Sequence, residues 1–166
     1  TLDQQGEKVK LESAIESYYC SKDLENFYIL KKNSISRIDS NGQKQKLISK
    51  VKTLVSCDPD KETFYFTRDG EEEKMQLYYY ADGEEILISD DLMQETRFKS
   101  SNGAYCIFTE TQDKNKNVVH MAIRGELIDD DSEVEQIKNA YYEHESETVY
   151  VMGQRDAEEE EKTLFK

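Results

Sequence analysis

Four runs of carboxylates are the groups in this chain with the plainest capacity for chemistry. Glu71-Glu72-Glu73 and the glutamates at 158–161 each follow a dense apolar segment, whereas Asp90-Asp91 and Asp129-Asp130-Asp131 each follow a shorter one. Hard carboxylate oxygens gathered in this way suit a cation or the basic surface of a partner. The simpler alternative is that they solvate turns and keep sheet edges soluble. No segment carries the fixed oxygen spacing and central glycine of an EF-hand, so a dedicated calcium loop is not expected.

Catalysis would need a nucleophile, a base and oxyanion donors that converge, or clustered metal ligands. The chain has two histidines, His120 and His144, and no HExxH, GxSxG, P-loop or GxGxxG pattern. His120 falls within an alternating apolar segment and His144 within a polar turn, which fits structural or solvent-exposed roles. Three cysteines, Cys20, Cys57 and Cys106, are too few for a disulfide framework and lack zinc spacing. Buried thiols are expected. Cys20 and Cys57 occupy corresponding points of a repeat and could pair only if their neighbouring units brought them close. No catalytic residue, cofactor or metal is therefore expected.

The chain has 166 residues and a formal net charge of −14. That charge repels a phosphate backbone, so nucleic acid and anionic membrane are poor partners. No apolar run is long enough to span a bilayer, and no basic segment followed by an apolar one opens the chain. It opens at Thr1 rather than Met, which leads us to expect a mature or trimmed fragment.

The elements that must position these carboxylates repeat. Phe27-Tyr28-Ile29-Leu30, Phe64-Tyr65-Phe66-Thr67, Tyr105-Cys106-Ile107-Phe108 and Val149-Tyr150-Val151-Met152 start 37, 41 and 44 residues apart, each after a polar turn. A second set is Val9-Lys10-Leu11, Lys46-Leu47-Ile48, Ile86-Leu87-Ile88 and Glu126-Leu127-Ile128. A third set starts at Ser34, Leu77, Val119 and Thr163, and its first three members run into the glycine turns Asn41-Gly42, Asp82-Gly83 and Arg124-Gly125. Asn-Gly and Asp-Gly between alternating segments predict type I′ hairpins, whose two central residues need positive φ. Adding an entering segment to each unit gives four antiparallel strands per period of about 40 residues, the spacing of propeller blades. The units span approximately 8–44, 45–84, 85–125 and 126–166 of a single domain. At 132–142, Val134, Ile137 and Tyr141 also have helical spacing; the β-branched and aromatic counterparts in the other units favour a strand. Tyr78, Tyr79 and Tyr80 alternate, so they must point to both faces of a sheet. Packing between blades is the expected role of these tyrosines, the alternative being a platform for sugar or peptide.

The second unit resembles the PD40, or TolB-type, WD40-like propeller repeat. The Asp58-Pro59-Asp60-Lys61 turn, Phe64-Tyr65-Phe66, Leu77-Tyr78-Tyr79-Tyr80 and Asp82-Gly83 carry the resemblance, and the other units depart from it in the turn. It is similar also to repeats in extracytoplasmic proteins of Gram-positive bacteria. The resemblance implies an all-β, β-propeller-like fold, either a four-bladed ring closed by the segment at Val9 or part of a larger propeller. It implies a non-catalytic interaction module, extracytoplasmic in the cell envelope or secreted, that binds a protein or peptide, with accessory domain of a peptidase or carbohydrate-handling protein as the alternative. Two loop types of a four-stranded blade emerge at one end. The candidate binding face at that end comprises Glu71, Glu72, Glu73, Asp90, Asp91, Asp129, Asp130 and Asp131, and a basic partner would suit it.

Overall fold

The computed structural model describes residues 12–99, 103–113, 116–128, 136–143, 145–146, 148–154 and 163–165. Among them lie fifteen strands and no helix. The first sheet is β1 (Ser17–Cys20), β2 (Asn26–Lys31), β3 (Ser34–Asp39) and β4 (Lys44–Ser49). The second is β5 (Thr53–Asp58), β6 (Thr63–Asp69), β7 (Met75–Ala81) and β8 (Glu84–Leu92). The third is β9 (Arg97–Lys99), β10 (Tyr105–Asp113), β11 (Lys116–Ile123) and β12 (Glu126–Ile128). The fourth is β13 (Gln136–Glu143), β14 (Thr148–Gln154) and β15 (Thr163–Phe165). Within each sheet the strands lie side by side in chain order and pair antiparallel. The first three sheets are the four-strand unit that the repeat predicts, and the fourth has three strands among the described residues. At 136–143 the chain is a strand, paired to β14 from Gln136↔Gln154 to Glu143↔Thr148, so the competing helical spacing is not realised. The segment at Val9 assigned to ring closure lies outside the described residues.

Two of the glycine turns behave as their sequence predicts. Asp82 and Gly83 have φ of 54° and 84°, and Arg124 and Gly125 have φ of 50° and 88°, the left-handed pair of a type I′ turn. The third does not. At Asn41-Gly42 only Gly42 has positive φ, and the loop widens to residues 40–43. The Asp39 carboxylate is the reason: its Oδ1 accepts from the Asn41 and Gln43 amides at 3.0 and 2.8 Å, offering the backbone a longer turn. A further two-residue turn of this hand joins β2 to β3 at Lys32 and Asn33, with φ of 50° and 58° and no glycine to announce it.

Packing explains why the dense strands read as almost unbroken apolar runs. Residues 63–67 of β6 are all buried, because the second sheet is covered on both faces. Phe64 and Phe66 face the first sheet with Tyr80, in a cluster that includes Tyr28, Leu30, Ile35 and Ile48. Tyr65, one position out of phase, faces the third sheet with Leu77 and Tyr79, against Cys106, Phe108 and Ala122. The register sets Phe64 opposite Tyr80, Tyr65 opposite Tyr79 and Phe66 opposite Tyr78, so the face toward the first sheet carries two ring pairs and the other face one. Burying each such side chain contributes roughly 1.5–3 kcal/mol. The first sheet is also covered twice. Ile29 and Ile38, on the face opposite Tyr28 and Leu30, are 3% and 2% exposed.

Candidate functional site

The acidic end of the second sheet is built from the loops that follow β4, β6 and β8. After β6, Gly70 N donates to Lys74 O and Lys74 N to Glu71 O, both at 2.9 Å, which folds residues 70–74 into a tight turn. Glu72 and Glu73 take φ of 50° and 61° within it. All three glutamates are exposed. The turn is tied to the next loop by Gln94, whose Nε2 donates to Glu73 O at 2.8 Å and Lys74 O at 3.1 Å. Lys52 ties in the preceding loop: its Nζ donates to Asp69 Oδ1 and Gln94 Oε1, each at 2.6 Å. The three loops therefore form one hydrogen-bonded end.

Asp90 and Asp91 reach the same end by a route that differs from expectation. Their sequence position suggests a loop between two strands, whereas both lie inside β8 and are exposed. Leu92 is the cause. It is 1% exposed and pairs with Met75, so the strand must continue past the acids to bury it. Ser89 pairs with Leu77, leaving Asp90 and Asp91 together in an irregular stretch between these two pairs. Ser89 Oγ donates to Asp91 Oδ1 at 3.2 Å. Glu71, Glu72, Glu73, Asp90 and Asp91 are thus gathered where the Met75–Leu92 pair ends the sheet. With Asp69 and Glu95, seven carboxylates stand there against the ammonium groups of Lys50, Lys52 and Lys74. Asp129, Asp130 and Asp131 lie outside the described residues, as does His144.

The opposite end holds contacts that the sequence did not announce. Glu62, with φ of 52°, extends from the Asp58-Pro59-Asp60-Lys61 turn to the first sheet, where its Oε2 accepts from Tyr28 Oη at 3.0 Å and Arg37 Nη1 at 2.8 Å. Burial and the neighbouring Glu62 carboxylate push the Tyr28 phenol up. Asp60 accepts from the Lys22 amide at 2.8 Å. On the other side, Tyr65 Oη lies 3.3 Å from Ala104 O, Ala122 O and Gly125 N, a hydroxyl buried between sheets and surrounded by main-chain partners. Its phenol is pushed up by burial. The clue was a charged residue closing a turn ahead of a dense strand, but its partners are set by neighbouring sheets.

The remaining groups singled out for chemistry are embedded in packing. His120 lies in β11 and its ring stacks on Phe108 with centroids 5.1 Å apart. Cys20, Cys57 and Cys106 are free thiols, the last two buried. Tyr78, Tyr79 and Tyr80 pack in the sheet interfaces. Among the described residues no group of three or more His, Cys, Asp or Glu is arranged to hold a metal ion.

Sheets stacked face to face, each of antiparallel strands in chain order, define a β-propeller-like protein. Comparison with solved structures agrees. TolB from Acinetobacter baumannii superposes with a TM-score of 0.53 over 98% of this chain and 44% of its own, at 14% identity. A eukaryotic initiation factor superposes with the same TM-score of 0.53 over 87% of this chain and 39% of its own, at 10% identity. At such identities the likeness is one of fold, and the chain spans less than half the length of either structure. No protein-family model matches the sequence, and no curated protein matches it.

Proposed function

We propose that this chain is a non-catalytic interaction module, extracytoplasmic in the cell envelope or secreted, that docks a basic protein or peptide on its acidic loop end. The observation that carries the reading is the tie between Gln94 and the Glu73 and Lys74 carbonyls, which holds Glu71, Glu72 and Glu73 at the end of the sheet where Asp90 and Asp91 emerge. A fixed group of like charges costs self-repulsion that a soluble surface could avoid by spreading them, and a cationic partner relieves it. Asp129, Asp130 and Asp131 extend the same acidic end in this reading. The test is titration of a fluorescent dodecalysine peptide, at low and at physiological salt, against the wild type and a variant carrying Glu71→Gln, Glu72→Gln, Glu73→Gln, Asp90→Asn and Asp91→Asn. Binding that weakens at least tenfold in the variant supports the reading. Equal affinity for both proteins removes it.

A further inference from the structure

We infer that β8 is an edge on which an extended peptide adds as a fifth strand of the second sheet. This goes beyond docking on the loop end, though it rests on the same preference for a basic partner. The sheet order ends at β8, so among the described residues one edge of this nine-residue strand has no neighbour in its sheet. Unpaired N–H and C=O groups along such an edge are a template for another strand, and proteins ordinarily blunt it with charge, above all lysine, with proline, with bulges or with brevity. The outer strand of the first sheet is blunted. β4 carries exposed Lys44 and Lys46. β8 reads EEILISDDL: register shifts guard its Leu87–Leu92 half, whereas residues 84–87 pair without a shift, hold neither lysine nor proline, and carry Ile86 and Leu87, 42% and 47% exposed.

The side chains of β8 define the occupant. From Glu84 to Leu87 the strand is regularly paired to β7, Glu84 opposite Ala81, Glu85 opposite Tyr80, Ile86 opposite Tyr79 and Leu87 opposite Tyr78. Residues facing each other across adjacent strands share a sheet face. A strand laid on this edge therefore meets acid at Glu84 and Glu85, apolar surface at Ile86 and Leu87, then acid at Asp90 and Asp91. Its complement is basic at both ends and apolar in the middle. Arg68 already shows the pairing within the chain, since its guanidinium lies 2.7 Å from the Glu85 carboxylate. A second copy of this chain is the poorer occupant, because two molecules of net charge −14 repel each other.

The test uses an acetylated, amidated octapeptide, Lys-Lys-Val-Val-Val-Thr-Lys-Lys, and two isomers N-methylated on alternate amides, one blocking each edge of the extended peptide. We expect the parent to bind and to slow amide hydrogen exchange in β8, one isomer to lose at least tenfold in affinity, and the other to bind like the parent. Leu87→Lys, which removes the apolar contact and repels the lysines, should weaken the parent peptide, while Glu71→Gln, Glu72→Gln and Glu73→Gln together should leave the contrast between isomers intact. If both isomers bind like the parent and only the loop variant weakens binding, strand addition is wrong and the acidic-end reading survives. If the parent does not bind at low salt, both fail. Concentration-dependent dimers that protect β8 without peptide would assign the edge to a second copy and overturn the inference.

Discussion

Tyr65 in the second sheet and Gly125 in the third meet through a hydroxyl and a main-chain nitrogen 3.3 Å apart, in a place where the tyrosine is wholly buried. The ring supplies the packing and the oxygen supplies the register between sheets. Tyr65→Phe keeps the first and removes the second: the Gly125 amide loses the hydroxyl oxygen it donates to, while the Ala104 carbonyl still accepts from Arg124 N. A loss of about 1–3 kcal/mol is expected, read as a lower midpoint in chemical denaturation with unchanged slope. A variant as stable as wild type would show that water takes over the hydroxyl's role.

Gly103 offers a sharper contrast. A Cβ built there would lie 2.5 Å from Asp58 N and 2.6 Å from Thr63 O, both main-chain atoms of the second sheet that cannot swing away. Gly103→Ala should cost about 1–3 kcal/mol or more through forced separation of the sheets. Gly83, by comparison, has open space around it and only a φ of +84° to satisfy. Gly83→Asn should cost no more than about 1 kcal/mol, since Asn tolerates the left-handed region. Thermal unfolding of the two variants side by side checks the order.

The cysteines should differ in reactivity. Burial pushes the Cys106 thiol up to about 12 and raises Cys57 as well, so neither presents thiolate to solvent. Cys20 is also raised by burial, but it is half-buried and its Sγ donates to Ser21 O at 3.3 Å. Native-state alkylation followed by peptide mass spectrometry should modify Cys20 first, with Cys57 and Cys106 labelled only as the whole protein unfolds. Early labelling of Cys106 would mean that the second and third sheets separate locally.

Glu12 gives the chain an acid-sensitive contact. Hydrogen bonds from Lys31, then from Lys44, hold its carboxyl at about 2, well below its ordinary 4.5. A lowered folded value means that the contact stabilises above pH 4.5 and is lost as pH falls through about 2. The stability difference between wild type and Glu12→Gln should therefore be full near neutrality and close across that window. Denaturant titrations at several pH values measure it, and a difference that stays constant into acid would contradict the assignment.

Much of the fold could be read from residue order alone. The recurrence of Phe27, Phe64, Tyr105 and Val149 at blade spacing, and the Asp82-Gly83 and Arg124-Gly125 turns, identified the repeating sheet because period and turn chemistry are local properties. The glutamates at 71–73 were legible as a loop for the same reason. Tertiary structure decided what local rules cannot reach. Asp90 and Asp91 belong to a strand rather than a loop because Leu92 beyond them finds a buried place opposite Met75. Phe64 and Phe66 face one sheet and Tyr65 the other, a division that alternation allows but only the neighbours assign. The contact of Glu62 with Tyr28 and Arg37 joins residues 34 and 25 positions apart, and the Tyr65–Gly125 contact spans 60. The sequence by itself determined the repeating unit, because each hairpin closes over a few residues. Which face met which, and which charges shared an end, depended on stacking one unit against the next, where burial outweighed the local preferences of single residues.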